Sequence, residues 1–526
     1  MLIPMRGGWR PIAVAVAIAG MAAWSGARAQ TGNAPANTAA SIVYFDAAGN
    51  ETLDPAEPQN NSSFSHEVLL AIYDTLIQLK ADGTPIPGIA ESWTRNADLT
   101  DITMKLRPGV RFHDGTPVDA AAVKRNLERS AALGKRAGNT VQEAMALIDT
   151  IETPDALTVR LKLKAPSGQI EYWLAANPGM MVSPAALGDT GAMGNAIKGI
   201  GAGPYQLRQF EPNVRTTMTR YDGYWGGTAG RPAAFEHHYV PDGRARLNAL
   251  RSGQANIALI EPRQIAEAKQ AGLAVQINEK NAFWTIYPNT KKAHLDDIRV
   301  RRAIMHALDR EALAEALGFG AARPTQQFFA SLSPYFVPEL QNRYNYDPAK
   351  AKALLAEAGF KDGLDMSFLL LNSSEYRQLA EAVQAQLAEV NIRAKFDVVD
   401  VSQFPLFFRQ PPRGDFLMAR YGGRSDPVQS MYELVGTGGS YAPGGAVSPL
   451  IDELLGKLKK MAAADPARIP TFQALSREVT ETAATLAIIT RANVYAYRPG
   501  CIIGLESYLS AGDDKFNDVR IGASCK

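Results

Sequence analysis

Residues Met366–Val398, MSFLLLNSSEYRQLAEAVQAQLAEVNIRAKFDV, read as strand, helix, strand. Met366 to Leu371 is an apolar run of strand length. From Glu375 to Val390, Leu379, Val383, Leu387 and Val390 recur at helical spacing on one face. Ile392, Ala394, Phe396 and Val398 then alternate with polar residues, the period of a half-buried strand. Two strands joined through a helix form a crossover unit with parallel pairing, which predicts an α/β fold. Just upstream, Asp347 is placed to cap a helix with Pro348 at its first position and Gly359 past its end. Ala351, Leu354, Leu355 and Ala358 form its apolar face. In open α/β sheets ligands bind beyond the carboxyl ends of strands. Here that end is Asn372-Ser373-Ser374, so Asn372 and Ser373 are candidate ligand contacts, while Ser374 is equally suited to cap the helix.

The pattern extends outward. Ser41 to Phe45 reads as a first strand; a polar loop, Asn60 to Ser63, precedes a helix with Val68, Leu69, Ile72 and Leu76 on one face. Thr103 to Leu106 alternates, Arg107-Pro108-Gly109 turns the chain, and Val110 to Phe112 resumes a strand before the turn His113-Asp114-Gly115-Thr116-Pro117. Asp119 fits the N-cap of a helix with Val123 and Leu127 inward, and Leu157 to Leu163 alternates as a strand.

At 526 residues the chain exceeds what one core of about 250–300 residues accommodates, so two large lobes are expected. Arg6 and Arg10, an apolar run from Ile12 to Trp24 and the small-x-small site Ala27-Arg28-Ala29 form a signal peptide, with cleavage expected after Ala29. Residues 30–40 read as a disordered tail. No cysteine follows the cleavage site, which argues against a lipid anchor, and no other apolar segment has membrane-spanning length. The precursor carries 55 basic and 53 acidic residues; without Arg6, Arg10 and Arg28 the mature chain has 52 against 53, a charge of −1 with no basic run for nucleic acid. In an oxidising compartment Cys501 and Cys525 suggest a disulfide, two free buried thiols being the alternative, and neither has the spacing of a metal site. No cofactor is indicated.

A series of motifs resembles the family-5 extracellular solute-binding proteins of ABC importers, the dipeptide/oligopeptide-binding group. It comprises Tyr73-Asp74-Thr75-Leu76 with Ala90-Glu91-Ser92-Trp93; Leu106-Arg107-Pro108-Gly109-Val110-Arg111-Phe112-His113-Asp114-Gly115-Thr116-Pro117; Gly201-Ala202-Gly203-Pro204-Tyr205 with Tyr224-Trp225-Gly226-Gly227; Val300-Arg301-Arg302-Ala303-Ile304 with Ala307-Leu308-Asp309-Arg310-Glu311; and Tyr346-Asp347-Pro348 with Leu354 to Phe360. The resemblance implies a two-lobe periplasmic binding protein fold with an inserted subdomain, mixed sheets and a two-strand hinge. Residues 30–71, 200–288 and 490–526 would form the first lobe, 72–199 the inserted subdomain and 289–489 the second lobe. It further implies a periplasmic monomer that captures a peptide or similar solute by lobe closure and delivers it to an inner-membrane ABC permease. Relatives that bind glutathione, nickel chelates, opines or oligosaccharides leave the ligand class open. A secreted hydrolase is the competing class, but no nucleophile motif supports it.

Within this frame Asp426, near the end of Tyr421-Gly422-Gly423-Arg424-Ser425-Asp426-Pro427, matches the aspartate that pairs with a peptide's α-ammonium. Arg424 departs from the pattern and could hold Asp426 or a ligand carboxylate. Tyr421 belongs to the same candidate segment, Trp284 could stack on the ligand, and Ser62 and Ser63 would supply hydrogen bonds from the first lobe. His113-Asp114 and the Gly199, Gly201, Gly203 run read as turns rather than a catalytic dyad or phosphate loop. His237 and His238 point to opposite faces of a strand and cannot easily share a metal.

Overall fold

The computed structural model describes residues 36–61, 66–137, 139–188, 194, 197–400, 403, 407, 413–505, 515–523 and 525. The signal peptide, the cleavage site after Ala29, and Ser62 and Ser63 lie outside them. Among the described residues, ten strands form one mixed sheet: β1 (Ser41–Asp46), β2 (Tyr205–Glu211), β3 (Arg215–Arg220), β4 (Ala234–Tyr239), β5 (Ile257–Leu259), β6 (Ala274–Pro288), β7 (Leu364–Leu371), β8 (Ile392–Val399), β9 (Phe416–Tyr421) and β10 (Leu486–Tyr497). Their spatial order is β8-β7-β9-β6-β10-β5-β1-β4-β3-β2. A separate four-stranded antiparallel sheet contains Ala90–Arg95, Asp101–Leu106, Thr158–Leu163 and Ile148–Asp155.

The crossover unit forms as its periodicity predicts, except that Val398 at the end of the second strand is exposed and its neighbour Val399 is buried instead. β7 and β8 pair in parallel from Leu364↔Ile392 to Leu371↔Val399, joined by the helix Ser374–Glu389. That helix buries Leu379, Val383 and Leu387 against the sheet. Asp347 caps the helix Pro348–Glu357 by accepting from the Lys350 N–H at 2.9 Å.

Three local expectations are corrected. The first helix stops at Ile72, so Leu76 is buried beyond it rather than on its face. Ile72 O accepts from Gly203 N at 2.8 Å and Leu76 N donates to Gly179 O at 3.0 Å, so tertiary partners replace the next helical turn. Val110–Phe112 forms no strand; the turn is closed by a single bridge between Arg111 and Pro117. Part of the expected disordered tail is ordered, because Ala36 bridges to Gly522 and Asn37 N donates to Ile521 O at 2.7 Å. Cys501 and Cys525 form a disulfide across this C-terminal segment.

The motif segments between Tyr73 and Gly227 converge on one buried knot. Asp74 accepts from Thr75 N at 2.8 Å, Gln78 at 2.7 Å, the Tyr224 hydroxyl at 2.9 Å and the Trp225 indole at 2.8 Å. Arg107 stacks over Trp225, its guanidinium carbon 4.4 Å from the ring centroid. Gly201 N donates to His113 Nδ1 at 3.3 Å, which leaves Nε2–H to donate to Gly203 O at 2.9 Å. Burial holds the His113 pKa below its ordinary value, consistent with a neutral ring. A side chain at Gly201 or Gly203 would collide with the carbonyl oxygens of Ile72 and Ala71, so these glycines serve close packing.

The largest apolar cluster is drawn from residues between Phe283 and Ile489, and a second from residues between Ala56 and Ala202. Strands β6 and β10 pair antiparallel and pass between cores: β10 gives Leu486 to Ile489 to the largest cluster and Val494, Tyr495 and Ala496 to two others. Their register breaks midway. Glu279 faces Ala492 and Phe283 faces Thr490, so Lys280, Asn281 and Ala282 stand opposite Arg491 alone. A bulge of this kind bends the strand and redirects side chains.

Candidate functional site

A cavity of about 180 Å³ lies at this bulge. Lys280, Ala282 and Arg491 form one side; Tyr421 to Asp426 and Gln429 form a second; Trp173, Ala176 and Asn177 form a third. The second side follows from local chain chemistry. β9 ends at Tyr421, and Gly422-Gly423 turn the chain away from the sheet. Gly423 has φ +76°, a left-handed conformation that favours glycine, and a β-carbon there would press on the Asn281 carbonyl. Asp426 then caps the helix Pro427–Val435, accepting from Val428 N at 2.9 Å and Gln429 N at 3.1 Å.

The polar groups are sorted by partner. Asp426 is buried and also accepts from the Gln169 amide, with Arg468 at 3.9 Å. Burial pushes its pKa up, opposed by Arg468 and these hydrogen bonds. Arg424 does not hold Asp426: its Nε lies 3.0 Å from Glu433, which also accepts from the Tyr421 hydroxyl at 3.1 Å. The helix places Glu433 two turns beyond Asp426, whereas the Asp426 oxygens are consumed at the cap. Burial disfavours the Arg424 charge, but Glu433 outweighs it and holds the guanidinium above its usual pKa. Arg420, on β9, lies 3.7 Å from Glu375. Burial, together with the like charge of Arg420, lowers the Arg491 pKa to about 10, so it remains a cation at neutral pH. Lys280 is buried, only 2% exposed.

The cavity is shut by direct contacts between the segment 140–173 and the segment 426–468. Gln169 bonds Asp426, Gln429 Nε2 donates to Glu143 Oε2 at 2.7 Å, and Gly168 N donates to Lys459 O at 2.7 Å. The Arg468 guanidinium lies 5.3 Å from the Tyr172 ring centroid. Gly168 approaches Met461 so closely that any side chain would strike its carbonyl oxygen.

Residues 84–442 match the family described as bacterial extracellular solute-binding proteins, family 5, middle region. The chain belongs to this family. The glutathione-binding protein GsiB of Pectobacterium atrosepticum is 30% identical over 355 residues, covering 67% of this chain and 68% of GsiB. NikA of Brucella suis, solved with Fe(III)-EDTA, superposes with a TM-score of 0.80 at 23% identity, covering 91% of this chain and 99% of NikA. AgaA from A. tumefaciens R10, solved with agropinic acid, gives a TM-score of 0.73 at 25% identity, covering 91% and 98%. The two-lobe α/β binding-protein fold expected from the motifs is therefore the fold of this solute-binding protein. No helix among its described residues is long and apolar enough to cross a membrane.

Of the sequence candidates, Tyr421, Arg424 and Asp426 line the cavity of this binding protein. Trp284 does not; it is buried in the largest core, edge-on to Tyr376 at 4.8 Å between centroids. Asn372 and Ser373 are exposed and line none of the described cavities. The strand-end rule still applies, but to β9, which runs parallel to β7 and reaches the cavity. Sequence reasoning passed over Lys280, Arg491 and Glu433. Asn278-Glu279-Lys280-Asn281 is a run of four polar residues inside an otherwise alternating to apolar strand, and that interruption marks the bulge. His237 and His238 separate as expected: His237 turns inward to Asp46 at 3.1 Å, and His238 lies by Glu236. Asp46, Glu67 and His237 are buried with ligand atoms within 4.8 Å of one another, although His237 Nε2 is already engaged by Asp46.

Proposed function

We propose that this solute-binding protein is an exported, periplasmic capture component of an ABC importer, working as a monomer. Residues 30–71, 200–288 and 490–526, with the inserted subdomain 72–199, would close as one jaw onto residues 289–489. β6 and β10 would be the hinge, and the closed complex would be presented to an inner-membrane permease. The observation that carries this reading is the shut cavity: its walls come from both jaws, and contacts such as Gly168 N to Lys459 O exist only when the jaws meet. Closing a polar cleft expels water and strengthens each contact to the guest. The guest must favour the shut form, since a ligand indifferent to the two forms moves nothing.

A volume of about 180 Å³ favours a compact solute over an extended oligopeptide. The resemblance to GsiB and AgaA supports glutathione-sized or opine-sized candidates, with dipeptides in the same range. The test is native mass spectrometry of the purified mature protein, followed by thermal-shift and small-angle scattering titrations with glutathione, dipeptides, opines and nickel chelates. A binding solute at a hundredfold its Kd should stabilise the fold by about 2.7 kcal/mol and reduce the radius of gyration. Unchanged melting and scattering with every solute, or release of a chemically altered guest, would remove the reading.

A further inference from the structure

Resting on that capture role, we propose that Gln169 sets the specificity of the cavity: it engages Asp426 across the closed jaws, so the solute carries no ammonium group at that wall and compounds with a protonated amine there are rejected. An ammonium taken out of water needs a carboxylate to receive it. Asp426 is the one acidic residue among the described residues that line the cavity. Its side chain is fully buried, and its oxygens are met from within the protein. Oδ1 accepts from Val428 N at 2.9 Å, Oδ2 accepts from Gln429 N at 3.1 Å and from the Gln169 amide, and the Arg468 guanidinium lies 3.9 Å from Oδ1. The next carboxylate along the helix, Glu433, accepts from Arg424 Nε at 3.0 Å and from the Tyr421 hydroxyl at 3.1 Å.

Three of the groups around Asp426 are fixed and one is conditional. The two backbone amides open the helix Pro427–Val435, and Arg468 sits on the same jaw, donating to Met461 O at 2.9 Å. Gln169 comes from the other jaw. It stands at the start of the helix Ile170–Leu174, where its carbonyl accepts from Tyr172 N at 3.0 Å, and the N–H of its neighbour Gly168 donates to Lys459 O at 2.7 Å. Closure therefore brings a neutral amide to Asp426 as the solute is enclosed. An incoming ammonium would have to expel that amide and would then lie beside the buried Arg468, a like charge. A solute with a hydrogen, a hydroxyl or a lactam nitrogen in that place leaves the pair intact and lets the jaws meet.

Isothermal titration calorimetry on the full mature chain compares solutes that differ at the amine. The pairs are glutathione with glutaryl-cysteinyl-glycine, alanyl-alanine with propionyl-alanine, and mannopinic acid with agropinic acid, its lactam. Whatever solute native mass spectrometry identifies joins them with its deamino or amine-bearing counterpart. In every pair that binds, the amine-free member should bind roughly tenfold tighter or more. Gln169→Ala should move that ratio roughly tenfold toward the amine, since Asp426 then lacks its partner from the opposite jaw. The wild-type ratios need no variant, so they decide even if the variant misfolds. An amine-bearing solute that binds as tightly as its amine-free counterpart would overturn the proposal while leaving the capture role intact. So would equal weakening of both members by Gln169→Ala, which would confine Gln169 to closure. Failure of every solute class to bind would remove the capture role itself.

Discussion

The knot around Asp74 and the cavity around Arg491 are made of the same materials, buried charge beside aromatic rings, yet they differ in how the charge is met. Asp74 receives four hydrogen bonds from four different residues, and Arg107 covers Trp225, so the carboxylate is met from within the fold although the knot borders a cavity of about 590 Å³. At the cavity the pairing is local: Arg424 has Glu433 and Asp426 has its cap, while Lys280 and Arg491 come from separate strands that meet at the register break. A polar cluster that is satisfied internally holds a fold together. One that lines the space between two closing segments is placed to meet a guest. The knot should therefore report in stability and the cavity in affinity.

The strongest way to break this division is at the knot. Asp74→Ala orphans the Tyr224 hydroxyl, the Trp225 indole and the Gln78 amide, and should lower unfolding free energy by roughly 3 kcal/mol or more in urea titrations. A loss below 1 kcal/mol would mean the cluster is not structural. At the closing surface, Gly168→Ala should do the reverse. Its new methyl group meets the Met461 carbonyl only in the shut form, so solute affinity should fall at least tenfold, about 1.4 kcal/mol, with the melting temperature of the empty protein unchanged. Equal loss in both measurements would place Gly168 in the fold rather than in closure.

Asp426→Ala stands between the two regions. It removes a helix cap and the Gln169 contact together, so it should cost about 1–2 kcal/mol in stability and weaken the solute. A change in affinity alone, without loss of stability, would restore Asp426 as a direct ligand group.

The smallest effect is in pH. Glu143 is exposed as a residue, but its carboxylate meets Gln429, and burial there with the like charge of Glu433 pushes its pKa up to about 7. Arg424 and Lys459 oppose this shift and Asp426 adds to it. A pKa raised in the shut form means the shut form prefers the protonated acid. Closure is thus fully favoured below about 4.5, the usual value, and loses this contribution as pH rises through about 7. Solute affinity should decline roughly threefold from pH 5.5 to 8, screening at an exposed residue keeping it small, and Glu143→Gln should flatten the decline. A pH profile identical in wild type and Glu143→Gln would detach Glu143 from closure.

How much could be read in advance follows from the range of the signals. The crossover at 364–399 was legible because helix and strand periodicities are local; the alternation slips only at the end of β8, where Val398 is exposed and Val399 buried. The cap at Asp426 sits in a motif, so Tyr421, Arg424 and Asp426 were found at the cavity. Lys280 and Arg491 were not, because the cavity brings together residues from separate strands whose meeting depends on register. Asn372 and Ser373 were chosen from one of two parallel strands, and only the sheet order reveals that β9, flanked by β7 and β6, delivers its end to the cavity. Trp284 alternates correctly for a strand, but which face of β6 looks into the core is set by Tyr376 on a distant helix. The motif segments were most visible, since close glycine packing and saturated hydrogen bonds demand specific residue types.

The three-against-one interval in β6 and β10 has a mechanical side. A ribbon laddered on both sides of about 10 Å of unladdered chain, with only a single-residue slip at Trp284 and Thr285, is most compliant at that gap. Levers bend where they are thinnest, so rotation of one arm would pivot at Lys280 and Arg491. A small displacement at that point is magnified at the tips where Gly168 and Met461 touch.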